Sequence, residues 1–531
     1  MIRSHRYGSV MGMHEMAAAM APLLRELEAR CRQEGRQTID VVAPFTLDVI
    51  GRVPQSTEDD VRAAATLARA AQPAWEALGA ERRAAILLDF HDLLLDRVDE
   101  VTDLVQLEGG KARMDAWKEV VDTIGVTRYI ANVTPGATKR RRRQGAMPFF
   151  TKTFELRHAK GVVGFISPWN YPFMLAISDA IAALATGNAV LVKPDERTPF
   201  SALFGARLLE GAGVPEGLVQ VLTGAGEPIG EVLVDSVDYV MFTGSTEVGR
   251  LIAEMAGRRL IGCSMELGGK NAAIVLPDAD IGRTVRELAA GSFANGGQTC
   301  VSMERVYVHD SIAEELTRNL SEHVAELPIA SGFDFTSKLS SLIDQDQMDR
   351  VQAHVDDAVS KGANVLIGGK PRPDVGPLFY APTILTGVTD EMAVCREETF
   401  GPVISIHRYS ELSEAISGAN DSEFGLHFSL WTSDTGKAMD IAVELEAGSV
   451  TVNDGLVASW GSHDAPMGGM KSSGLGRRHG LDGILKFTEP QTVAIQRLIP
   501  AYSPFGGIAP ERYTRMVEAL TWVFKRLPWY R

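Results

Sequence analysis

The chain has 531 residues, more than one hydrophobic core can serve, so two large domains with a smaller appendage are expected. Hydrophobic residues at 45% and charged residues at 23% are globular values, and a net charge of -15 argues against nucleic acid or an anionic membrane as the partner. Four cysteines, at 31, 263, 300 and 395, have neither the density of a disulfide scaffold nor the spacing of a metal site; they point to a reducing, cytoplasmic compartment and to no bound metal.

Arg3 and Arg6 precede Met11 to Met20, but His14 and Glu15 interrupt that segment, which reads as a helix instead of a signal peptide. No uninterrupted apolar run reaches transmembrane length. Residues 13 to 34 have an amphipathic helical pattern, and Val41 to Val53 reads as strand, turn at Pro44, strand. Helical periodicity follows over Thr57 to Glu76, Glu81 to Leu107 and Ala112 to Asn132. The basic run Lys139 to Arg143 is expected as a solvated loop, and Phe149 to Leu156 alternates as an exposed strand does.

From Lys160 the texture changes. Short apolar strands at 161 to 166, 189 to 192, 218 to 222 and 239 to 242 alternate with helices over Ala176 to Thr186, Pro199 to Gly211 and Pro228 to Leu233. That alternation predicts a parallel sheet covered on both faces, with ligands at the carboxyl ends of its strands. Asn271 to Leu276 opens a second strand-helix series, continued by Arg305 to Val308, Asn364 to Leu366 and 445 to 455. Thr488 to Gln496 alternates again, and Glu511 to Trp529 is an amphipathic helix expected to pack on its own protein in preference to a membrane surface.

Chemistry gathers at the strand ends. Phe293 to Cys300 (FANGGQTC) places a cysteine after a small, polar, glycine-bearing turn, a setting that suits an exposed nucleophile; the alternative is that Gln298 and Thr299 cap a helix with Cys300 packed behind. Glu266 stands between Met265 and Leu267, where burial raises a carboxyl's proton affinity and fits a general base. Gly244 to Gly249 follows a strand and opens a helix, a place for a phosphate. Lys193 and Glu196 could hold ribose hydroxyls, or simply pair with each other. Glu398 and Phe400 are spaced to bind a ribose and to contact a nicotinamide.

Pro168 to Pro172 (PWNYP), Glu266 to Lys270 (ELGGK), Gly297 to Cys300 (GQTC) and Glu398 to Pro402 (ETFGP) occur in an order and spacing that resembles the aldehyde dehydrogenase superfamily from about residue 40 to 497. The resemblance implies an α/β fold with two Rossmann-like domains and a small oligomerisation sheet. It divides the chain into 1–146 (N-terminal part of the cofactor domain), 147–160 (oligomerisation strand), 161–267 (cofactor domain), 268–480 (catalytic domain), 481–498 (oligomerisation strand) and 499–531 (extension). It implies Cys300 as nucleophile, Glu266 as base and Asn170 with the Cys300 N–H as oxyanion hole. Trp169, Asn170, Lys193, Glu196, Gly244, Ser245, Leu267, Glu398 and Phe400 fall at cofactor positions, with Asp195 beside them. The basic run then leads into an oligomerisation strand, and a homodimer or homotetramer follows.

Within the superfamily the sequence is most similar to a bacterial succinate-semialdehyde dehydrogenase branch. The positions where that branch carries carboxylate-binding arginines are Ser178 and Ala294 here, so either another cation serves or the aldehyde has an uncharged tail. Phe173, Met174 and Trp460 could line an apolar entrance for a broad aliphatic or aromatic aldehyde, or serve only as ordinary core packing. The cofactor is NADP or NAD; Asp195 and Glu196 put two carboxylates where an NADP 2'-phosphate would lie. A coenzyme-A-acylating enzyme and a non-catalytic relative are the other readings, which Glu266 and the Cys300, Glu266, Asn170 set argue against.

Overall fold

A computed structural model of the chain describes residues 12–31, 35–146, 150–497 and 509–526. The segment before Gly12, and the ends of three expected elements at 32–34, 149 and 527–529, lie outside the described residues. The chain divides into two compact units, one of 1–137 with 159–487, the other of 138–158 with 488–531.

In the larger unit, among the described residues, strands form two extended sheets. The first runs Gly474–Leu475, Gly262–Glu266, Tyr239–Thr243, Val162–Ile166, Ala189–Lys193, Val219–Val221, parallel except for its first strand. The second runs Asn364–Ile367, Thr383–Thr386, Val403–Tyr409, Met303–His309, Asn271–Val275, His427–Trp431, Ser449–Val452, again parallel but for its first strand. The central strands are largely apolar because helices cover both faces; Val163, Val190, Leu191 and Val240 are wholly buried in the first sheet, and Ala273, Val275, Val306 and Val308 in the second, beside the buried Glu304 and Arg305. Each such Val or Leu stabilises the fold by about 1.5–3 kcal/mol relative to exposure. Parallel pairing brings the carboxyl ends of the strands to one edge, which is where Lys193, Thr243, Glu266 and the segment after Ile166 collect.

Local sequence accounts for most helix ends. Glu58–Ala77 begins with a reciprocal capping box between Thr57 and Asp60. The expected helix over 81 to 107 is two helices, Ala80–Asp96 and Val98–Gly109, broken at Arg97. The helix expected from Ala176 starts earlier, at Pro172, and spans Pro172–Ala185. Proline suits that first position, and the Glu119 carboxylate, remote in sequence, accepts the N–H groups of Phe173 (2.8 Å) and Met174 (3.0 Å).

The smaller unit contains a sheet in the order Thr488–Gln496, Thr151–Ala159, Arg141–Arg143. The basic run is therefore partly a strand and not the expected loop: Arg141 to Arg143 are exposed, as charges should be, but pair antiparallel with Thr153 to Glu155, and Arg143 binds Glu155. Such charged strands blunt a sheet edge. In the C-terminal helix Pro510–Phe524, Tyr513, Val517 and Leu520 are half-buried and Phe524 is buried, a stripe at helical spacing, while Trp522 and Val523 stay exposed at 56% and 52%.

Candidate active site

The helix Ile281–Phe293, capped by Asp280, delivers the chain to the cysteine loop. Asn295, Gly296 and Gly297 then take left-handed φ values of 52°, 66° and 73° in succession. A Cβ on Gly297 would lie 2.1 Å from the Gly401 carbonyl oxygen, so only glycine fits. Gln298 caps the short 3₁₀ turn Ala294–Gly297, and its side chain does more than cap. It is fully buried, donates to the carbonyls of Asn295 (2.9 Å) and Ser341 (3.0 Å), and accepts the Ile343 N–H at 2.9 Å. Asn271 donates to the carbonyls of Cys300 and Ser302, both at 2.8 Å. The backbone of Cys300 is thus fixed while its half-exposed side chain lines a cavity of about 690 Å³.

Asn170 and Glu266 line the same cavity. Asn170 donates one amide hydrogen to the Gln298 carbonyl at 3.0 Å, which leaves the second for a ligand, and its own carbonyl accepts from Asn295 at 3.0 Å. Below it, Glu119 is paired with Lys111, both buried, and the Lys111 ammonium lies 3.8 Å over the Tyr171 ring. Glu266 ends the strand Gly262–Glu266; its Oε1 is buried without a hydrogen-bond partner. Burial raises the Glu266 carboxyl to about 7, with the charges of Arg478 and Lys486 opposing. Burial, then the Glu398 carboxylate, pushes the Cys300 thiol up to about 12, again with Arg478 opposing. The resting thiol holds its proton, and a carboxyl that exchanges protons near neutrality stands in the same cavity.

Trp169, Gly244, Ser245, Leu267, Glu398 and Phe400 also line this cavity. Their fit to a dinucleotide rests on three observations. Ser245 caps the helix Thr246–Arg258, whose N-terminus offers its partial positive charge to a pyrophosphate. Trp169 and Phe400 meet edge to face at 5.5 Å, forming an aromatic corner. Gly268 lacks the Cβ that would come 2.5 Å from Glu398 Oε2, and Glu398 Oε1 accepts the Gly269 N–H at 2.9 Å. Lys193 lies at the end of the neighbouring strand with its ammonium 3.3 Å from Glu196. Asp195, expected beside an NADP 2'-phosphate, is held by Arg197. Arg197 clasps both its oxygens (2.8 and 2.9 Å), reaches Asp344 at 2.6 Å and stacks 5.1 Å over Trp169.

Of the expected entrance residues, Met174 and Trp460 line the cavity, whereas Phe173 is wholly buried and packs beside Gly205 and Ile177 as core. Ala294 lines the cavity; Ser178 is buried and donates to the Met174 carbonyl at 2.6 Å. Two groups escaped the sequence reading. Asp122 joins Trp460 Nε1 (3.0 Å) and His463 (2.9 Å), and Arg478 pairs with Asp179 near Glu266. Arg197 and Arg478 each sit in a visible charge cluster, KPDER and GRRHG, which is the signal that was available.

Two parallel α/β sheets around one cavity, with a cysteine, a carboxyl of raised proton affinity and a helix N-terminus suited to pyrophosphate, define a nicotinamide-dependent oxidoreductase acting on carbonyl compounds. The model described as "Aldehyde dehydrogenase family" matches residues 31–493, and the chain belongs to that family. It is an enzyme that oxidises aldehydes with NAD(P). It is 47% identical over 512 residues to a Mycolicibacterium smegmatis protein named "Putative succinate-semialdehyde dehydrogenase (NADP+)", covering 96% of this chain and 99% of the relative. The crystal structure of an Escherichia coli NADP-dependent enzyme superposes with a TM-score of 0.83 at 35% identity, over 87% of this chain and 95% of that one. Betaine aldehyde dehydrogenase of Staphylococcus aureus, solved with NAD+, gives 0.86 at 29% identity, over 93% and 99%.

Proposed function

We propose that Cys300, Asn170 and Glu266 carry the reaction in which an aldehyde and water become a carboxylic acid. The observation that carries this is their convergence, from three separate stretches of chain, on one cavity. Cys300 releases its thiol proton to solvent water, its sulfur adds to the carbonyl carbon, and the carbonyl electron pair moves to oxygen. The free amide hydrogen of Asn170 and the Cys300 N–H receive that oxyanion. Bound NAD(P) would supply the hydride acceptor for this carbon, and Cys300 then holds the acyl group as a thioester. Glu266 then takes a proton from water, which adds to the thioester; the carbon–sulfur bond breaks and the acid leaves. Trp169, Gly244, Ser245, Leu267, Glu398, Phe400, Lys193 and Glu196 would hold the cofactor, with Asp195 orienting Arg197 beneath Trp169. Glu266 favours water over coenzyme A as acyl acceptor.

For the substrate, likeness to the named relatives supports succinate semialdehyde, and Lys118, which lines the cavity, is an ammonium its carboxylate would meet. A second reading is favoured by the lining itself. Val121, Met174, Leu456, Val457 and Trp460 contribute apolar surface, Asp122, Glu287 and Asp454 contribute carboxylates, and Ala294 stands where an arginine was sought. That wall suits an uncharged aliphatic or aromatic tail. Measuring kcat/KM for succinate semialdehyde, propanal, hexanal and benzaldehyde with NAD and NADP decides: a large preference for the neutral aldehydes defeats the semialdehyde reading. Turnover surviving in Cys300→Ala would defeat the mechanism.

A homodimer or homotetramer in the cytoplasm completes the proposal, supported by the largely exposed strand Thr488–Gln496 at the edge of its sheet and by four free cysteines. Light scattering on the purified protein tests the assembly.

A further inference from the structure

Next to Glu266 lies a buried charge pair that the reaction as written does not use. Arg478 Nε donates to Asp179 Oδ1 at 3.2 Å and its Nη2 lies 2.8 Å from Asp179 Oδ2; both side chains are almost wholly buried, at 5% and 7% exposure. The same Nη2 donates to Thr243 Oγ1 at 3.1 Å, and Thr243 is the residue opposite Glu266 on the neighbouring strand. The segment that carries Arg478 is itself tied to Glu266: Gly474 pairs with Glu266, and a Cβ on Gly468 would lie 3.1 Å from both Glu266 Oε1 and Arg477 Cδ. Backbone bonds between Met467 and Arg478, at 2.9 and 2.6 Å, fix the guanidinium's origin.

A buried arginine is costly unless held, and one held this firmly acts as a fixed charge. We propose that Asp179 and Arg478 are a positioning pair that keeps a permanent positive charge beside Glu266 and so sets the pH at which Glu266 takes its proton from water. The inference rests on Glu266 being the water-activating base. The charged groups facing Glu266 are Arg478 and Arg477 from the segment after Gly474–Leu475, Lys486 after the helix Gly480–Leu485, Asp179 on Pro172–Ala185, and the Cys300 thiol. Burial drives the Glu266 carboxyl upward, Arg478 is the largest opposing charge, and Asp179 pushes the same way as burial. Burial lowers Lys486 to about 8, so it is itself partly discharged at high pH and cannot replace Arg478 there.

Removing either partner therefore has opposite consequences, which loss of packing would not produce. The test is the pH profile of kcat for the full-length enzyme with saturating aldehyde and NAD(P), beside the pre-steady-state burst of reduced cofactor. Arg478→Met is expected to move the acid limb up by about one pH unit or more, and Asp179→Asn to move it down, with Arg478→Lys close to the wild type. Shifts in the same direction, or lower kcat with an unmoved limb, overturn the proposal. Should Arg478→Met not fold, Asp179→Asn and Arg478→Lys carry the same test: the first must lower the limb and the second must leave it in place. Glu266→Gln separates the two levels. If it keeps full steady-state turnover, the assignment of Glu266 fails; if it retains the burst and loses turnover while the limb ignores Asp179 and Arg478, only this inference fails.

Discussion

Replacing Asp122 by Ala should shrink the range of aldehydes handled well, not switch the enzyme off. Asp122 projects from the helix Arg113–Thr138 and ties down the opposite wall through Trp460 Nε1 at 3.0 Å and His463 Nε2 at 2.9 Å. Both partners lie on the segment after Val457 that closes the cavity, and the Trp460 ring also lies 5.8 Å from the Arg478 guanidinium. A hydrogen bond to an ionised acceptor contributes about 1.5–3 kcal/mol. The cavity mouth admits water to the freed indole N–H, so the lower end applies to each bond. Losing about 1.5–3 kcal/mol of wall rigidity only when a tail presses on Trp460 corresponds to roughly a 10- to 100-fold fall in kcat/KM. Steady-state kinetics with hexanal and benzaldehyde should show that fall, while propanal, too short to reach Trp460, changes less than about threefold. Equal losses for propanal and hexanal would refute the reasoning, since the damage would then be at Cys300. Removing this carboxylate should also improve kcat/KM for succinate semialdehyde.

Three further outcomes follow from the site. Since Glu266 acts ionised and burial raises it to about 7, kcat should rise with pH through that region, measured under saturating substrate and cofactor; a profile flat from pH 6 to 8 (roughly one unit either side of that value) contradicts the role. Glu304 accepts the N–H groups of Thr399 (3.0 Å) and Phe400 (3.1 Å) and pairs with buried Lys270, so Glu304→Ala should cost about 3–5 kcal/mol locally and raise KM for NAD(P) more than it lowers kcat. Urea melts and cofactor titrations read both effects. Glu196→Ser, which frees the Lys193 ammonium, should raise the ratio of kcat/KM for NADP over NAD by about tenfold, the worth of one charge interaction of about 1.4 kcal/mol.

The parallel sheets were readable because apolar strands such as Val162–Ile166 and Ala189–Lys193 are bounded by residues that a buried strand does not tolerate. Cys300 and Glu266 stand out locally, as a cysteine after a polar glycine-bearing turn and a carboxyl between apolar residues, whereas the role of Asn170 came only with the family resemblance. What escaped were partnerships made at long range. Glu119 caps the helix at Pro172 and Gln298 bonds to Ser341 and Ile343, and no local rule announces either contact. The clasp of Arg197 on Asp195 is local, yet a run of mixed charges does not say which of them pair. Of the two roles open to Phe173, entrance or core, it takes the core, because it directly follows Pro172 at the start of a helix whose first turn directs it inward.

The approach of Gly297 to the Gly401 carbonyl has a consequence for anyone rebuilding this enzyme. The loop that presents the nucleophile and the loop that carries Phe400 are in backbone contact, with no side chain between them to absorb a mismatch. They behave as a single machined part split across distant stretches of sequence. A grafted cofactor loop from a relative will work only if its carbonyl comes along the same path, and directed libraries that vary 398–402 without 295–299 will mostly sample broken catalysts.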